Sequence, residues 1–349
     1  MRSAFREAFG VEAQAEGHAP ARVNLIGDHT DYADGFCLPM PLRCATRVAM
    51  APAPAFAARS EGHAASGFDP FGPPRGDWTD YVAGPLAELA KAGIEVPPVA
   101  VLVASDIPQG AGVSSSAALE VAVIRAALAL AGTPLADADV ARMAQRAENL
   151  YCGVNCGILD QMASAAGRTG EALLLDCRTG TGRLVSVPAA FRFRVVHCGE
   201  ARRLADGVYN ERRRAVEEAA SILGLSALRD AVPDDVERLP AAVRARARHV
   251  VTENMRVLAA VAALEGADLS AFGRLMTESH RSLATDYEVS TPALDRLADA
   301  MLAAGAAGAR LTGAGFGGCA VALLPPNIDE AAWWGQVSAA NPEAWLVAG

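Results

Sequence analysis

The stretch DIPQGAGVSSSAALE (106–120) is dense in residues that can do chemistry. Gly110 and Gly112 let the backbone approach a ligand closely and adopt dihedrals closed to other residues. Ser114, Ser115 and Ser116 follow where a helix-forming run begins. A helix start offers unpaired N–H groups and a positive dipole end, which suit a phosphate. The serine hydroxyls add donors and a candidate metal ligand. The plainer alternative is a serine-capped helix after a tight turn, and one serine would ask for no more. A phosphate loop without a lysine needs other counter-charges, and magnesium and an arginine are the obvious suppliers.

Two acidic clusters could complement such a loop. In ARVNLIGDHTDY (21–32), Arg22, Asp28, His29 and Asp31 lie close together after a short apolar strand. Polar groups in such a turn can fan out towards one small polar ligand, and carboxylates accept hydrogen bonds from sugar hydroxyls. Read blandly, GDHTD is only a turn. In NCGILDQ (155–161), Asp160 sits among apolar residues. It is either a helix cap or a functional group. Glu148, on the helix before it, reads as an ordinary surface glutamate.

The elements that must position these groups are legible in outline. PPVAVLVASD (97–106) reads as a buried strand feeding the glycine-serine loop. SAALEVAVIRAALALA (116–131) is a helix closed by Gly132 with Pro134 beyond it. DADVARMAQRAENLYCG (137–153) is a second helix. EALLLDCR (171–178) and FRFRVVHC (191–198) read as strands, and YNERRRAVEEAASILG (209–224) as a helix with a charged outer face. Residues 51–77, rich in Ala, Pro and Gly, suggest strand fragments and loop. TGAGFGG (312–318) matches G-x-G-x-x-G at Gly313, Gly315 and Gly318, but CAVALLPP follows at once where a dinucleotide site needs a helix. A tight turn near a ligand or another strand is expected instead. Strands and helices interleave without a regular βαβ beat, so the class expected is α+β.

Composition removes several functions. With 52% apolar and 20% charged residues the 349-residue chain is globular and long enough for two domains. Its net charge of −9 argues against nucleic acid or an anionic membrane as partner. Lys91 is the only lysine, in AELAKAGIEV, so a P-loop, a protein-kinase lysine and a pyridoxal Schiff base are all excluded. Seven cysteines without C-x-x-C read as buried thiols of a reducing cytoplasm, although Cys152 and Cys156 have metal-compatible helical spacing. No signal peptide or membrane-spanning apolar run is expected. Nothing here sets an oligomeric state.

Taken together and in order, the motifs are those of a known family. ARVNLIGDHTDY, PQGAGVSSSA (108–117), CGILDQ (156–161) and LTGAGFGGCAVAL (311–323) resemble the motifs of the galactokinase branch of the GHMP kinases. YNERRRAVEEAA, RHVVTENMRV and ESHRSL…DYEVSTPALD extend the resemblance over essentially the whole chain. It implies a two-domain GHMP kinase fold. Residues 1–190 would form an ATP- and sugar-binding domain resembling ribosomal protein S5 domain 2, and 191–349 a C-terminal α+β domain. The implied reaction is ATP-dependent phosphorylation of the anomeric hydroxyl of galactose, with Mg2+.

The resemblance also implies roles. Asp160 would be the catalytic acid-base residue, with Arg22 stabilising the transferring phosphoryl group. Asp28, His29, Thr30, Asp31, Gly157 and Tyr209 would bind the sugar. Gly110, Ala111, Gly112, Val113, Ser114, Ser115 and Ser116 would wrap the ATP phosphates, with Trp78 and Tyr81 near the nucleotide. Ser116 and Glu148 would hold magnesium. One position departs from the pattern, because the family usually has Glu where Asp28 stands. The shorter acid is expected to weaken contact with the sugar's C6 hydroxyl, which brings in arabinose or a C6-modified galactose as alternative substrates. A sugar-sensing relative without catalysis is the third reading, and the presence of Arg22, Asp160, Ser116 and Glu148 argues against it.

Overall fold

The computed structural model describes residues 1–154, 156–201 and 206–347. In chain order the elements are α1 (Arg2–Phe9), β1 (Ala15–Asn24), a 3-10 turn (Asp31–Ala33), β2 (Phe36–Cys37), β3 (Pro39–Pro52), β4 (Ala57–Ser60), β5 (His63–Gly67), α2 (Asp80–Lys91), β6 (Val99–Ser105), α3 (Ser115–Ala131), α4 (Asp137–Tyr151) and α5 (Leu159–Ala166). They continue as β7 (Glu171–Asp176), β8 (Thr181–Ser186), β9 (Arg192–His197), α6 (Asp206–Leu223), a second 3-10 turn (Leu228–Asp230), α7 (Pro233–Val236) and α8 (Ala241–Glu265). The chain ends with α9 (Leu269–Thr285), α10 (Pro292–Ala303), β10 (Gly308–Thr312), β11 (Cys319–Leu324), α11 (Glu330–Ala340) and β12 (Trp345–Leu346). This is the α+β class expected from the sequence.

The chain divides into two compact units that it visits more than once. Unit 1 comprises Met1–Arg22, Pro41–Ile107 and Ser114–Gly167. Unit 2 comprises Val23–Met40, Pro108–Val113 and Arg168–Gly349.

Unit 1 is built on a sheet of order β1-β3-β6-β4-β5. The apolar run 97–106 supplies its middle strand, β6, antiparallel to β3 and parallel to β4. Helix α3 is buried over most of its length because small and branched side chains alternate along it, including Ala117, Val121, Ala122 and Ile124. Full burial of a side chain such as Ile124 contributes roughly 1.5–3 kcal/mol. Gly17 in β1 allows close approach: a Cβ there would fall 2.0 Å from the Ala122 carbonyl oxygen. Gly132, with φ 68°, ends α3 and donates its N–H to Leu128 O. Lys91 closes α2 as an ordinary surface residue, 2.8 Å from Glu88.

Unit 2 contains a sheet of order β10-β11-β9-β12 and a smaller one of order β2-β7-β8. Its core gathers Val196, Leu294, Leu297, Met301, Leu311, Ala320 and Trp333. Strands β10 and β11 pair antiparallel from Gly308↔Leu323 to Thr312↔Cys319. The second glycine loop is therefore a hairpin connection, as its sequence context required. Gly315 (φ 78°) shows why a glycine is needed there, since a Cβ would come within 2.3 Å of Val289 O. Among the described residues no helix is long and apolar enough to cross a membrane.

Candidate active site

Unit 1 brings together a base, a cation and a hydroxyl. Arg22 lies at the inner end of β1, with a side chain 5% exposed. Its Nε donates to Asp160 Oδ1 at 2.7 Å and its Nη2 to Oδ2 at 2.9 Å. This two-point pairing fixes the plane of the carboxylate. Asp160 belongs to the first turn of α5 and keeps 30% of its side chain exposed, so it remains accessible to a ligand. The Ser114 hydroxyl donates to its Oδ2. Neither local capping alternative holds. Ser114 is the residue before α3 but makes no side-chain cap, and Asp160 lies inside its helix. Ser114 has φ 64° and ψ 50°, a left-handed conformation uncommon outside glycine. Such backbone is tolerated where its surroundings over-determine it, and here the turn aims the hydroxyl at Asp160.

Behind this pair lie two buried acids. Glu148 on α4 accepts from Gln161 Nε2 at 2.5 Å and from Cys156 Sγ at 3.7 Å. Burial raises its pKa above the usual carboxyl range, opposed by hydrogen bonds from Ser116, Cys156 and Gln161 and reinforced by the charge of Asp160. Glu120 on α3 is completely buried, and neither of its carboxyl oxygens has a hydrogen-bond partner. Burial, then the charges of Glu148 and Asp160, push its carboxyl far up. Sequence reasoning passed over Glu120. The signal was its position, four residues after Ser116 and hence on the same face of α3.

The oxygen donors of Ser116 and Glu148 fit a hard divalent cation, and the unpartnered Glu120 carboxyl behind them is a group that such a cation would help to ionise. Among the described residues no group of three or more His, Cys, Asp or Glu forms a metal cage. Mg2+ commonly relies on one or two protein ligands and substrate phosphates.

The remaining unit 1 candidates divide. Tyr81 shares a side-chain hydrogen bond with Cys152, and the acid cluster adds to the burial that raises its pKa. Trp78 packs on His63, with ring centroids 5.4 Å apart. Gly157 is part-exposed and lies two residues before α5. Ser115 is exposed and Ser116 half-buried at the start of α3. Cys152 and Cys156 are free thiols that burial keeps protonated.

Residues 108–113 belong to unit 2. Gly110 and Gly112 both have φ 73°, and the Ala111 carbonyl accepts from Cys319 Sγ at 2.9 Å. Ala111 and Val113 are buried, so the loop presents backbone rather than side chains.

Unit 2 holds the second cluster, and most of its side chains are tied internally. Asp28 Oδ2 lies 2.5 Å from Arg310 Nη2, and Oδ1 accepts the Gly313 N–H at 2.9 Å. His29 donates from Nε2 to Ala314 O at 3.2 Å, while its Nδ1 lies 2.8 Å from the Tyr32 hydroxyl. The Tyr32 and Tyr287 hydroxyls are 2.6 Å apart. The Thr30 hydroxyl sits 2.9 Å from Gly27 O and 2.8 Å from Phe36 O. Asp31 and Tyr209 are half-buried, and the Tyr209 ring centroid is 5.9 Å from that of His29.

Below this loop Glu253 accepts from Gly27 N at 2.9 Å and from Ser279 Oγ at 2.6 Å. Arg256 lies 2.7 Å from Glu253 and Arg310 lies 3.8 Å away. Burial alone would raise Glu253, but Arg256, His249, Arg310 and Ser279 hold it down to about 2. His249 donates from Nε2 to Asp28 O at 3.1 Å, and burial lowers its pKa to about 4. Glu253, His249 and Arg310 are functional supports that sequence reasoning did not single out, although all three lie in quoted motif stretches or beside them.

Known proteins match nearly the whole chain in sequence and fold. The galactokinase galactose-binding signature matches residues 3–52, the GHMP kinase N-terminal domain 80–168 and the GHMP kinase C-terminal domain 260–339. The galactokinase of Roseiflexus sp. (strain RS-1) is 43% identical over 345 residues, covering 95% of this chain and 88% of that protein. The crystal structure of Lactococcus lactis galactokinase complexed with galactose superposes with a TM-score of 0.91 at 31% identity, covering 99% of this chain and 96% of that one. Methanococcus jannaschii mevalonate kinase, at 20% identity and a TM-score of 0.69 over 95% of this chain and 96% of its own, shares the fold. The chain belongs to the galactokinase family of GHMP kinases.

Proposed function

We infer that this chain transfers the γ-phosphoryl group of ATP to the C1 hydroxyl of galactose, giving galactose 1-phosphate and ADP. The observation that carries the reading is the Asp160 carboxylate, held at two points by Arg22 and at a third by Ser114, yet still open to a ligand. Asp160 accepts the C1 hydroxyl proton as that oxygen bonds to the γ-phosphorus and the bond to ADP breaks. A base so placed contributes about 10²–10⁴-fold. Arg22 keeps the carboxylate oriented and stabilises charge on the phosphoryl group. The Gly110–Val113 backbone and the first N–H groups of α3, with Ser115, receive the ATP phosphates. Ser116 and Glu148 would hold Mg2+, which neutralises phosphate charge when bound.

On the sugar side, Asp31 and Tyr209 are the part-exposed contacts, with His29 and Gly157 completing the set. Thr30, whose hydroxyl is used within its own turn, shapes the loop. Tyr81 lies on the nucleotide side and Trp78 follows it by sequence proximity. Residue 190 separates the matched N-terminal and C-terminal family segments, which supports assigning nucleotide and most sugar contacts to 1–190. Seven free cysteines support a reducing cytoplasm as the place of work.

A coupled ADP-release assay with galactose, arabinose, N-acetylgalactosamine, galacturonate and glucose tests the reading. Galactose is expected to give the highest kcat/KM. No turnover on the panel, or faster turnover of arabinose, would refute it.

A further inference from the structure

Asp28 is where the sequence departs from the family's usual glutamate, and the structure engages both of its carboxylate oxygens, one in a hydrogen bond and the other in an ion pair that lacks hydrogen-bond geometry. Its side chain is 5% exposed. One oxygen is 2.5 Å from Arg310, whose side chain is fully buried, and the other accepts the Gly313 N–H at 2.9 Å. Its carbonyl is held by His249 at 3.1 Å. One residue earlier, the Gly27 N–H is held by Glu253, which also lies 3.8 Å from Arg310. The same strand end is stapled again by Thr312, whose hydroxyl is 3.1 Å from Asn24 N and 2.9 Å from Asn24 O.

We propose that Asp28 is a positioning residue rather than a ligand of the sugar's C6 hydroxyl: its carboxylate fastens the His29–Asp31 segment to the turn that follows Arg310. The proposal rests on the sugar-kinase reading above. Turning the carboxylate outward would strand Arg310 as a buried charge with one acid fewer, an arrangement that is strongly destabilising. One additional methylene would move a carboxylate by about 1.5 Å along the side chain, so the longer acid common in the family has reach that Asp28 lacks. Asp28 thus governs how well the loop is held, and a sugar with or without a C6 hydroxyl feels that equally.

The test compares kcat/KM for galactose and 6-deoxygalactose in the full chain and in Asp28→Asn. Expected is a common loss on both sugars, on the order of 10²-fold, as for a small misplacement of binding groups. The ratio between the two sugars should stay within about two-fold of the unsubstituted chain. Arg310→Met should produce the same common loss, and the double variant should be no worse than the poorer single one. A loss confined to galactose, collapsing the ratio by on the order of 10-fold or more, would show a direct C6 contact and overturn the proposal. Should Asp28→Asn not fold, Asp28→Glu keeps the charge. A common loss there supports the proposal, and a gain for galactose alone overturns it. If the unsubstituted chain turns over neither sugar, the kinase reading falls and this proposal with it. A changed ratio in an active enzyme removes the proposal alone.

Discussion

The two units treat buried acids in opposite ways. In unit 2, Asp28 and Glu253 are matched by Arg310 and Arg256, and hydrogen bonds from Gly27, Ser279 and Gly313 use their oxygens. In unit 1, Glu120, Glu148 and Asp160 share a neighbourhood, and Arg22 pairs with Asp160. Both oxygens of Glu120 are without a partner. The difference teaches which charges belong to the fold and which to the ligand. A compensated acid keeps its charge and stiffens the chain around it. An uncompensated one is raised until a cation or substrate arrives, and cluster perturbation of that kind marks functional sites.

The largest expected effects separate the two kinds of acid. Asp160→Asn should lower kcat by about 10²–10⁴-fold, with a smaller cost in urea denaturation than Glu253→Gln, because Arg22 loses its acid but the Asp160 side chain is part-exposed whereas that of Glu253 is fully buried. ATP binding, followed by intrinsic fluorescence, should persist. An unaltered rate would remove Asp160 from the mechanism. Glu253→Gln should do the reverse of sparing the fold. It leaves Arg256 without its acid and Arg310 with Asp28 alone, and is expected to cost about 3–5 kcal/mol in denaturation. A cost below 1 kcal/mol, on the order of a surface substitution, would mean the pairing is not what holds the loop.

Those two variants also mark what could be read in advance. Asp160 and Arg22 stood in short motifs whose order along the chain is informative, and the strand at 97–106 and the helix at 116–131 were visible in local apolar pattern. Glu120 was not legible, because a glutamate in a helix reads as a surface residue until the neighbouring helices are placed. The Asp28–Arg310 pairing was hidden for a related reason: periodicity reports the face of one element and says nothing about which distant turn it meets. The repeated visits of the chain to each unit escaped notice on the same ground. Trp78 makes the same point, since its ring packing on His63 joins two residues that no local pattern connected.

The pH dependence of stability should carry opposite signs in the two units. His249 is lowered from 6.5 to about 4 in the folded chain. Between those values the unfolded chain binds the proton first, so stability is complete above pH 6.5 and falls as pH drops towards 4, by roughly 3 kcal/mol. Glu148 and Glu120 are raised, so the folded chain binds their protons first and their contribution improves as pH falls through their raised folded values towards the ordinary carboxyl range. His249→Gln isolates the first effect. The stability difference between the unsubstituted chain and this variant should grow from pH 4 to 6.5, measured by urea denaturation at each pH. A constant difference would mean that His249 does not titrate in this window.

The smallest effect is the sharpest test of the comparison, because it predicts a gain. If Glu120 is an uncompensated acid, removing it should help the ligand-free fold. Glu120→Met keeps the volume close and replaces two unpartnered oxygens with an apolar group. It is expected to raise stability by about 1 kcal/mol at pH 7, a modest part of the 1–3 kcal/mol that an unpaired buried polar group costs. The gain should shrink on acidification, since a carboxyl with a raised folded pKa makes the unsubstituted chain gain stability as pH falls. The same variant should weaken Mg2+-dependent stabilisation by ATP, because the carboxyl that could ionise beside a bound cation is gone. A loss of stability at pH 7 would place Glu120 in the same class as Glu253, and the distinction between the two units would then rest on Asp160 alone.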